Sequence, residues 1–481
     1  MSDLTPREPH RPLIWPDTIL DLQEILADAG QQVYIVGGAV RDALLHRPLM
    51  DIDLAVARDG IRLARRIANS LKGDFFVLDG ERDVGRALVD RPDGRYLIDV
   101  ARFRGDSLLA DLAGRDFTIN AMAVELTGDI SLLIDPLGGE ADAQLKQVRR
   151  CSPQALADDP IRALRAVRQS VQFGMRIEAD TLRDIRAVAS SLQQVSPERI
   201  RDEFVKLLTL PKVRMALRVA EALGLLAEII PEVAQLRALT PHTPDYADGW
   251  QETLAIIERI EQLVTAISPR RTDHTAASFG IGTLIMQLDR YRRQLQTHTE
   301  QHWPNDRPHL ALLVLAVLLR NASQKTIMAR AQALRLSNAE RDRLLAMVRY
   351  QPLPLDMDEL SPLAIHRFWR QTGSAGIDVC LLAAAHYLGR SGSAVDQDEW
   401  LRLVERLRVL LEAYFERYDE LVEPPMLLDG NQLMAALQLT RGPIIGLLLD
   451  RIREAQVMGT VRSAEDALEL ARAALGESNH R

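Results

Sequence analysis

Two short stretches near the start of the chain carry residues whose types and spacing suit phosphate and metal chemistry. One is a glycine pair, Gly37 and Gly38, followed by Arg41, and the other is the Asp-Ile-Asp that contains Asp51 and Asp53. A glycine pair after an apolar run lets backbone N–H groups approach a polyphosphate, and the N-terminus of a following helix also favours anions. On a strand the two aspartates project from one face, where they repel each other unless a cation lies between them. The pattern therefore predicts Mg²⁺ held by two carboxylates beside a phosphate-binding backbone.

A third carboxylate is needed if these stretches serve nucleotidyl transfer, the reaction that their order favours. It would bind a second ion and help deprotonate the attacking hydroxyl, because two-metal sites clamp both the entering and the leaving oxygen. Asp99, in YLIDVARFR, is the best candidate, since its strand follows a predicted turn at 91–94 and could lie beside the strand of Asp51 and Asp53. The ordinary alternatives are a strand-to-helix turn for the glycines and exposed strand residues for the aspartates.

The secondary structure that must position these residues changes along the chain from strands and turns to helices. Residues 33–136 alternate short apolar runs with turns, which predicts strands at VYIVGG, DIDLAV, FFVLDG, GRALVD and RYLIDVARF. An amphipathic helix, IRLARRIANSLKG, is predicted between the second and third strands, with Gly73 as its stop. From about residue 154 onward the apolar spacing is helical almost without exception. The sequence thus predicts an α+β protein, with a small mixed α/β head followed by a long all-helical part.

Length and composition exclude several classes of protein. The chain has 481 residues, 47% apolar and 26% charged, as expected of a soluble globular protein with several domains. Its longest clean apolar run, Leu310–Leu319, is about half of the ~20 residues that a membrane helix needs, and its start lacks a signal-peptide core, so we expect a cytoplasmic protein. Two cysteines are too few for a disulfide framework or a thiolate metal site. The net charge is −8, yet residues 149–206 hold eleven Lys and Arg against eight Asp and Glu, a local patch that could bind nucleic acid.

Six stretches together resemble the motifs of one enzyme family: GGAVRD, DIDL, GRDFTINAMAV (114–124), DPLGG (135–139), DDPIRALRAVRQSVQFGM (158–175) and SPERIRDEFVKLL (196–208). They resemble, in order, the motifs of the bacterial class II tRNA nucleotidyltransferases and their poly(A) polymerase relatives, over roughly the first half of the chain. The resemblance implies that Asp51 and Asp53 hold the catalytic metal ions. It also implies that three residues contact the ribose and phosphates of the incoming nucleotide: Arg115, Asp116 and Asn120. Gly114 departs from the family, in which an arginine commonly stands at this position.

Base selection belongs to the DDPIR stretch in the family's pattern, and its logic follows from hydrogen bonding. Asp159 and Arg162 are three residues apart and would share one face of a helix. Asp accepts and Arg donates, which matches the amine and ring nitrogen of cytosine and adenine but not the reverse order in uracil and guanine. By resemblance, Arg165 and Arg168 on the same face reach the triphosphate, although a solvated helix face is the ordinary reading of such arginines. Glu198 and Arg199 are expected to brace this helix without touching substrate.

The resemblance also suggests how the chain divides. We predict an N-terminal segment, a nucleotidyltransferase head, a helical neck with the nucleotide-selecting helix and an RNA-binding surface, a degenerate HD-like helical domain and a C-terminal helical domain, at residues 1–30, 31–150, 151–236, 237–350 and 351–481. The fourth part faintly resembles the HD-type phosphohydrolase domain of some family members. Glu252, Arg320 and Asn321 stand where that domain has its metal ligands and the residues beside them. A helical relic without phosphatase activity is therefore expected.

The resulting prediction is a template-independent nucleotidyltransferase that adds C, A or both to the 3′ end of tRNA from CTP and ATP, with Mg²⁺. A poly(A) polymerase with the same head is the first alternative, although such enzymes tend to end in a basic tail and this chain ends in ALGESNHR. A non-catalytic RNA-binding protein is the second, and the intact Asp51, Asp53 and DDPIR weigh against it.

The length of one link bears on the product. Family members that build the whole C-C-A end carry a flexible segment before the Arg-Asp-Phe-Thr motif, whereas here only GDSLLA separates Arg104 from Asp111. So short a link can hardly form a lid that swings between two positions. We therefore hypothesise that the chain adds C-C and stops. In the alternative, another loop performs that task and this one chain makes C-C-A.

Overall fold

The computed structural model describes residues 4–268 and 279–478, in two compact units, Met1–Ile229 and Ile230–Arg481. The first unit holds a sheet and the helices around it, and the second is almost entirely helical. This confirms the predicted α+β class. Among the described residues, no helix is both long and apolar enough to cross a membrane.

The head contains one six-stranded sheet and five helices. In chain order its elements are α1 (Asp17–Leu26), β1 (Val33–Val36), α2 (Gly38–Leu44), β2 (Asp51–Val56), α3 (Gly60–Leu71), β3 (Asp74–Asp79), β4 (Val84–Arg91), β5 (Gly94–Arg102), α4 (Leu108–Ala113), β6 (Ala123–Glu125) and α5 (Gly139–Gln144). The strand order is β3-β4-β5-β2-β1-β6, in which β2 and β5 run parallel and the other neighbours are antiparallel. The five predicted strands are confirmed, and β6 is an addition from the GRDFTINAMAV stretch.

The register of the sheet sets the positions of the acidic residues. The predicted hairpin is confirmed, since Arg91 pairs with Gly94 across a two-residue turn. The crossover from β2 through α3 and this hairpin brings β5 back beside β2, with Asp53 directly opposite Asp99. Helix α3 covers the sheet with its apolar side, and it approaches closely because Gly85 has no side chain: a Cβ there would lie 2.7 Å from the Cβ of Ala64.

Helices α6 to α11 and a two-stranded sheet complete the first unit. They are α6 (Ala155–Asp158), α7 (Ile161–Phe173), α8 (Ala179–Val188), α9 (Pro197–Leu208), α10 (Val213–Ala222) and α11 (Leu225–Ile229), with β7 (Gln147–Val148) paired to β8 (Arg176–Ile177). One local expectation was wrong. Asp159 has extended backbone (φ −147°, ψ 92°) and α7 begins only at Ile161, so Asp159 and Arg162 do not share a helix face.

In the part of the second unit that the structure describes, the chain forms helices and one small two-stranded sheet. Its elements are α12 (Val233–Arg237), α13 (Gly249–Ile267), α14 (Phe279–Leu288), α15 (Arg292–Thr299), β9 (His302–Trp303), β10 (Arg307–Pro308), α16 (His309–Leu318), α17 (Gln324–Ala333), α18 (Asn338–Tyr350), α19 (Leu353–Asp356), α20 (Pro362–Thr372), α21 (Gly376–Arg390), α22 (Gln397–Glu416), α23 (Gly430–Leu437), α24 (Pro443–Val457) and α25 (Ala464–Ser478). Helices α13 and α21 cross at close range, since a Cβ on Gly389 would lie 2.6 Å from the Cα of Ile256.

Candidate active site

A cavity of about 790 Å³ in the first unit gathers most of the residues singled out in the sequence. Twelve of the thirteen predicted site residues line it: Gly37, Gly38, Arg41, Asp51, Asp53, Arg115, Asp116, Asn120, Asp159, Arg162, Arg165 and Arg168. The thirteenth, Asp99, lies beside Asp53 on the neighbouring strand. Strands, helix starts and loops from residue 37 to residue 168 therefore converge on one space.

Three carboxylates share one face of the sheet at this cavity. Asp51 and Asp53 alternate with the buried Ile52 on β2, and Asp99 pairs with Asp53 across the β2–β5 ladder. Burial raises the pKa of Asp51 and of Asp53, and the nearby charge of Asp99 adds to the rise. Such a cluster favours a cation. Paired carboxylates open to a polyphosphate site are the donor set that suits Mg²⁺.

Arg86 completes this cluster and was not among the residues predicted from the sequence. It stands on β4 directly opposite Asp99, where Nε donates to Oδ1 at 2.7 Å and Nη2 donates to Oδ2 at 2.8 Å. The signal was present in the sequence, because counting back from the turn at 91–94 pairs residue 86 with residue 99. Both oxygens of Asp99 thus already accept hydrogen bonds from a guanidinium.

The glycine pair lies close to charged side chains of the cavity. Gly37 has φ +74°, and a Cβ at this residue would lie 2.7 Å from Nη1 of Arg115 and 3.0 Å from Oδ2 of Asp53. The guanidinium of Arg41 donates to both carboxylate oxygens of Asp42, at 3.0 and 2.9 Å. It also lies 4.2 Å from the ring centre of Phe173. Gly37 therefore permits the close approach of Arg115 and Asp53 to the backbone. Arg41 is held by an ion pair and an aromatic ring.

A buried polar network connects the head to helix α7. Asn120 accepts from Arg41 at 2.6 Å and donates to Asp116 at 2.9 Å and to Gln169 at 3.0 Å. Arg165 donates to the other oxygen of Asp116 at 2.8 Å. Burial alone would raise the pKa of Asp116, but the charge of Arg165 and the hydrogen bond from Asn120 outweigh it and lower the pKa. Gln169 is a second residue that the sequence analysis missed.

The two groups expected to read the base are each fixed by a different partner. Oδ2 of Asp159 accepts from Arg199 at 2.7 Å, so Arg199 holds the residue that precedes α7 and itself lines the cavity. Arg162 donates to three backbone carbonyls, those of Gly114 (2.7 Å), Arg115 (3.1 Å) and Ala155 (3.1 Å). Each group is thereby oriented while other hydrogen-bonding positions on it stay open.

Arg168, the last of the arginines on α7, has protein partners within the cavity wall. Its Nε donates to Glu203 at 2.5 Å and its Nη1 donates to Gln172 at 2.9 Å. Arg165 and Arg168 face the cavity as the spacing predicted, and both are ion-paired. A ligand phosphate would join existing ion pairs at these two residues.

The short link between β5 and α4 is held at both ends. Phe103 N donates to Val56 O at 2.9 Å, Arg104 N donates to Oδ1 of Asp111 at 3.0 Å, and the Ser107 hydroxyl caps α4 by accepting from Ala110 N at 3.2 Å. Asp111 is itself buried and paired with Arg115 at 2.9 Å. The connection between Arg104 and Asp111 is thereby held by hydrogen bonds at both ends.

In the second unit, an ion pair stands where the HD-like resemblance would place metal ligands. Glu252 and Arg320 are 3.0 Å apart, with side chains 1% and 5% exposed. Glu252 also accepts from the backbone N–H of His242 at 2.7 Å. A guanidinium that neutralises the local carboxylate disfavours a metal ion at this position.

A second buried cluster of this unit contains residue types that can bind a metal ion, but these side chains form ion pairs with one another. Nε2 of His298 and Nε2 of His309 lie 2.6 and 2.8 Å from Oδ1 of Asp378, and Arg343 donates to Oδ2 at 2.5 Å. Trp303 donates its indole N–H to Nδ1 of His309 at 3.0 Å, so the proton of a neutral His309 must be on Nε2. A protonated nitrogen cannot ligate a metal. The cluster is therefore better described as a buried ion network.

Two protein-family models match successive parts of the first unit. The family model described as "Poly A polymerase head domain" matches residues 33–149, and the one described as "Probable RNA and SrmB- binding site of polymerase A" matches residues 174–236. Both matched ranges contain or adjoin residues of the cavity described above. Together they cover the head and the second part of the helical region that follows it.

Similarity to curated proteins extends over nearly the whole chain. A CC-adding tRNA nucleotidyltransferase of Synechocystis is 30% identical over 93% of this chain and 94% of its own length. An A-adding tRNA nucleotidyltransferase of Deinococcus radiodurans is 30% identical over 90% and 93%. A CC-adding tRNA nucleotidyltransferase of Geobacter sulfurreducens is 45% identical, but over only 38% of this chain and 41% of its own length.

A solved structure has the same fold. The complex of a CCA-adding enzyme with CTP aligns with a TM-score of 0.63 and 21% identity, over 97% of this chain and 99% of that one. At this identity the likeness shows the fold alone.

Proposed function

Because the chain belongs to the tRNA nucleotidyltransferase family, we propose that it transfers cytidylate or adenylate from CTP or ATP to the 3′ end of tRNA. The observation that carries this proposal is the single cavity that joins the carboxylate cluster, the glycine pair and the Asp159–Arg162 pair. In that reaction the 3′ oxygen of the RNA bonds to the α-phosphorus of the nucleotide. The bond to the β-phosphate bridging oxygen breaks, pyrophosphate leaves, and the hydroxyl proton passes to a base.

Asp51 and Asp53 are the residues that we propose hold a divalent cation, and their donor set suits Mg²⁺. When bound, the ion supplies charge stabilisation at the phosphoryl centre. Asp99, next to Asp53, is the third acidic residue of the site and is proposed to assist removal of the hydroxyl proton. These three roles are inferred from the positions of the side chains on β2 and β5.

The remaining cavity residues are proposed to orient the nucleotide. The backbone of Gly37 and Gly38 and the guanidinium of Arg41 would hold phosphate oxygens, because α2 begins at this point. We propose that five further polar residues bind the ribose and phosphates: Arg115, Asp116, Asn120, Arg165 and Arg168. The network that joins Asn120 to Arg41 and Asp116 fixes these groups before the nucleotide enters.

The proposed reading of the base uses the hydrogen-bonding positions that the protein leaves open. Oδ2 of Asp159 is taken by Arg199, so Oδ1 is available to accept from the amine of cytosine or adenine. Arg162 has five N–H groups and uses three in bonds to carbonyls, which leaves donors for the ring nitrogen. Uracil and guanine would leave both groups unpaired.

We propose, further, that the product is C-C, on the ground that the link between Arg104 and Asp111 is short and anchored at both ends. The test supplies tRNA lacking its three terminal nucleotides with CTP and ATP together, and resolves the products at single-nucleotide length. A stop at two added residues that persists at high ATP supports the proposal. A dominant third addition ending in A refutes it, and long adenylate tails on mixed RNA would point to a poly(A) polymerase.

The five-part division of the chain remains our proposal for its domain organisation, with residues 151–236 as the neck that contacts RNA. Because tRNA is the proposed substrate, we place the enzyme in the cytoplasm. The second unit is proposed to contribute packing or RNA contact without phosphatase activity, since the Glu252–Arg320 ion pair takes the position of a metal ligand set.

A further inference from the structure

Arg86 is a charged residue at the carboxylate cluster that the proposed mechanism does not use. It is bonded through two nitrogens to the two oxygens of Asp99, at 2.7 and 2.8 Å, in the fork geometry by which arginine best recognises a carboxylate. The side chains of Arg86 and Asp99 are 33% and 25% exposed, so the pair is only partly accessible to solvent. Its position follows from the β4–β5 register and does not depend on a loop.

The pair changes what the cluster can bind. Asp99 is the neighbour of Asp53 across β2 and β5, so without Arg86 three carboxylates would meet on one face with little between them. Arg86 acts electrostatically on Asp51 and Asp53 as well as on Asp99. One of the three negative charges is therefore neutralised before any ligand enters.

We propose that Arg86 is a positioning residue that withholds Asp99 from metal coordination, so that the cluster binds one divalent cation, on Asp51 and Asp53, and not two. This inference rests on the proposed metal-dependent transfer and narrows the expectation of two ions. An ion on an Asp99 oxygen, at about 2.1 Å, would lie within about 5 Å of the Arg86 nitrogen bonded to that oxygen. Two like charges at that separation repel strongly in a partly buried site.

Positive charges on the other sides of the cluster also disfavour a second cation. The positive charges of Arg115 and Arg104 act on Asp53, and the positive charge of Lys206 acts on Asp51, where Asp42 adds a negative charge. A second cation would thus approach Arg86 from one direction and Arg115 or Lys206 from another. Asp99 is the carboxylate of the cluster that a guanidinium holds through both oxygens, so Asp51 and Asp53 are left to hold the ion.

The test counts bound metal and does not need turnover. Full-length protein without nucleotide is titrated with Mn²⁺, and free Mn²⁺ is measured by electron paramagnetic resonance. Wild type should bind one ion, Arg86→Gln should bind two, and Arg86→Gln combined with Asp99→Asn should return to one. Arg86→Lys, which keeps the charge, should remain at one ion. Far-UV circular dichroism and thermal melting of each variant check that it is folded.

A matched control comes from the same hairpin. Arg95→Gln removes an arginine of β5 whose partners, Asp74 and Asp90, do not line the cavity, and it should leave the count at one. Two ions on wild type, or one on a folded Arg86→Gln variant, would overturn the inference and leave the proposed function intact. A wild-type protein that binds no Mn²⁺ would overturn the proposed metal centre and the inference with it.

Discussion

Replacing Asp159 with Asn tests how the protein distinguishes bases. The substitution keeps the shape of the side chain and converts one of its two acceptors into a donor. Because Arg199 donates at 2.7 Å to one position, the amide must place its oxygen there and present its NH₂ group to the base. The amine of cytosine would then face the NH₂ group of the amide, so that two donors oppose each other. The hydrogen bond from Arg162 to the ring nitrogen of cytosine is retained.

The magnitude follows from one lost hydrogen bond to a charged group. Such a bond contributes about 1.5–3 kcal/mol, so kcat/KM for CTP should fall by roughly 10- to 150-fold. The uracil carbonyl oxygen gains a donor, but the ring N–H of uracil still faces the donors of Arg162. The kcat/KM for UTP should therefore rise by about tenfold or less. The two nucleotides should therefore become comparable, and selectivity should collapse without inverting.

Single-turnover incorporation of CTP, ATP, UTP and GTP into tRNA lacking its 3′ end measures these changes. Asp202→Asn is a matched control, because Asp202 is an exposed carboxylate on α9 that pairs with Arg201 outside the cavity. A folded Asp159→Asn variant whose ratio of UTP to CTP incorporation stays within threefold of wild type would refute this account of base selection.

Three further outcomes are expected. Asp51→Ala or Asp53→Ala should reduce incorporation by at least about a thousandfold with unchanged circular dichroism, since the paired carboxylates supply the metal site; activity within tenfold of wild type would contradict that role. Binding of tRNA should weaken steeply with salt, as expected of phosphate contacts by the 149–206 surface, and salt-independent binding would point to another surface. Asp378→Asn should cost about 3–5 kcal/mol in the free energy of unfolding, measured in urea, because it leaves Arg343 buried without a counter-charge. Hydrogen bonds from two histidines and the charge of Arg343 outweigh burial and hold the pKa of Asp378 well below its usual range, so its stabilisation should persist above about pH 4 and fade in acid. A melting temperature that falls on chelation and recovers with Zn²⁺ would instead show a metal at this cluster.

The sequence was most informative where one local rule determines geometry. Strand alternation put Asp51 and Asp53 on one face, and the turn at 91–94 fixed the hairpin that carries Asp99. The error at Asp159 came from ignoring such a rule, because a residue before proline is driven out of the helical region, and residue 160 is proline.

The missed residues share a different cause. Gln169 reaches Asn120 across 49 positions of sequence, and the ion network around Asp378 joins four separate helices. Contacts of this kind depend on how helices pack, and no local pattern encodes that. Arg86 is intermediate, since its partner could have been found from strand register alone.

The link between β5 and α4 lies where a change in chain length would disturb little of the surrounding structure. Gly105, with φ +88°, and Asp106 are exposed at the tip of this connection, where added residues would displace no packed side chain. The β2–β5 ladder upstream is fixed by its own hydrogen bonds, so its acidic residues would keep their spacing whatever the length of the tip. A change in the length of this link would therefore leave the residues of the proposed metal site in place.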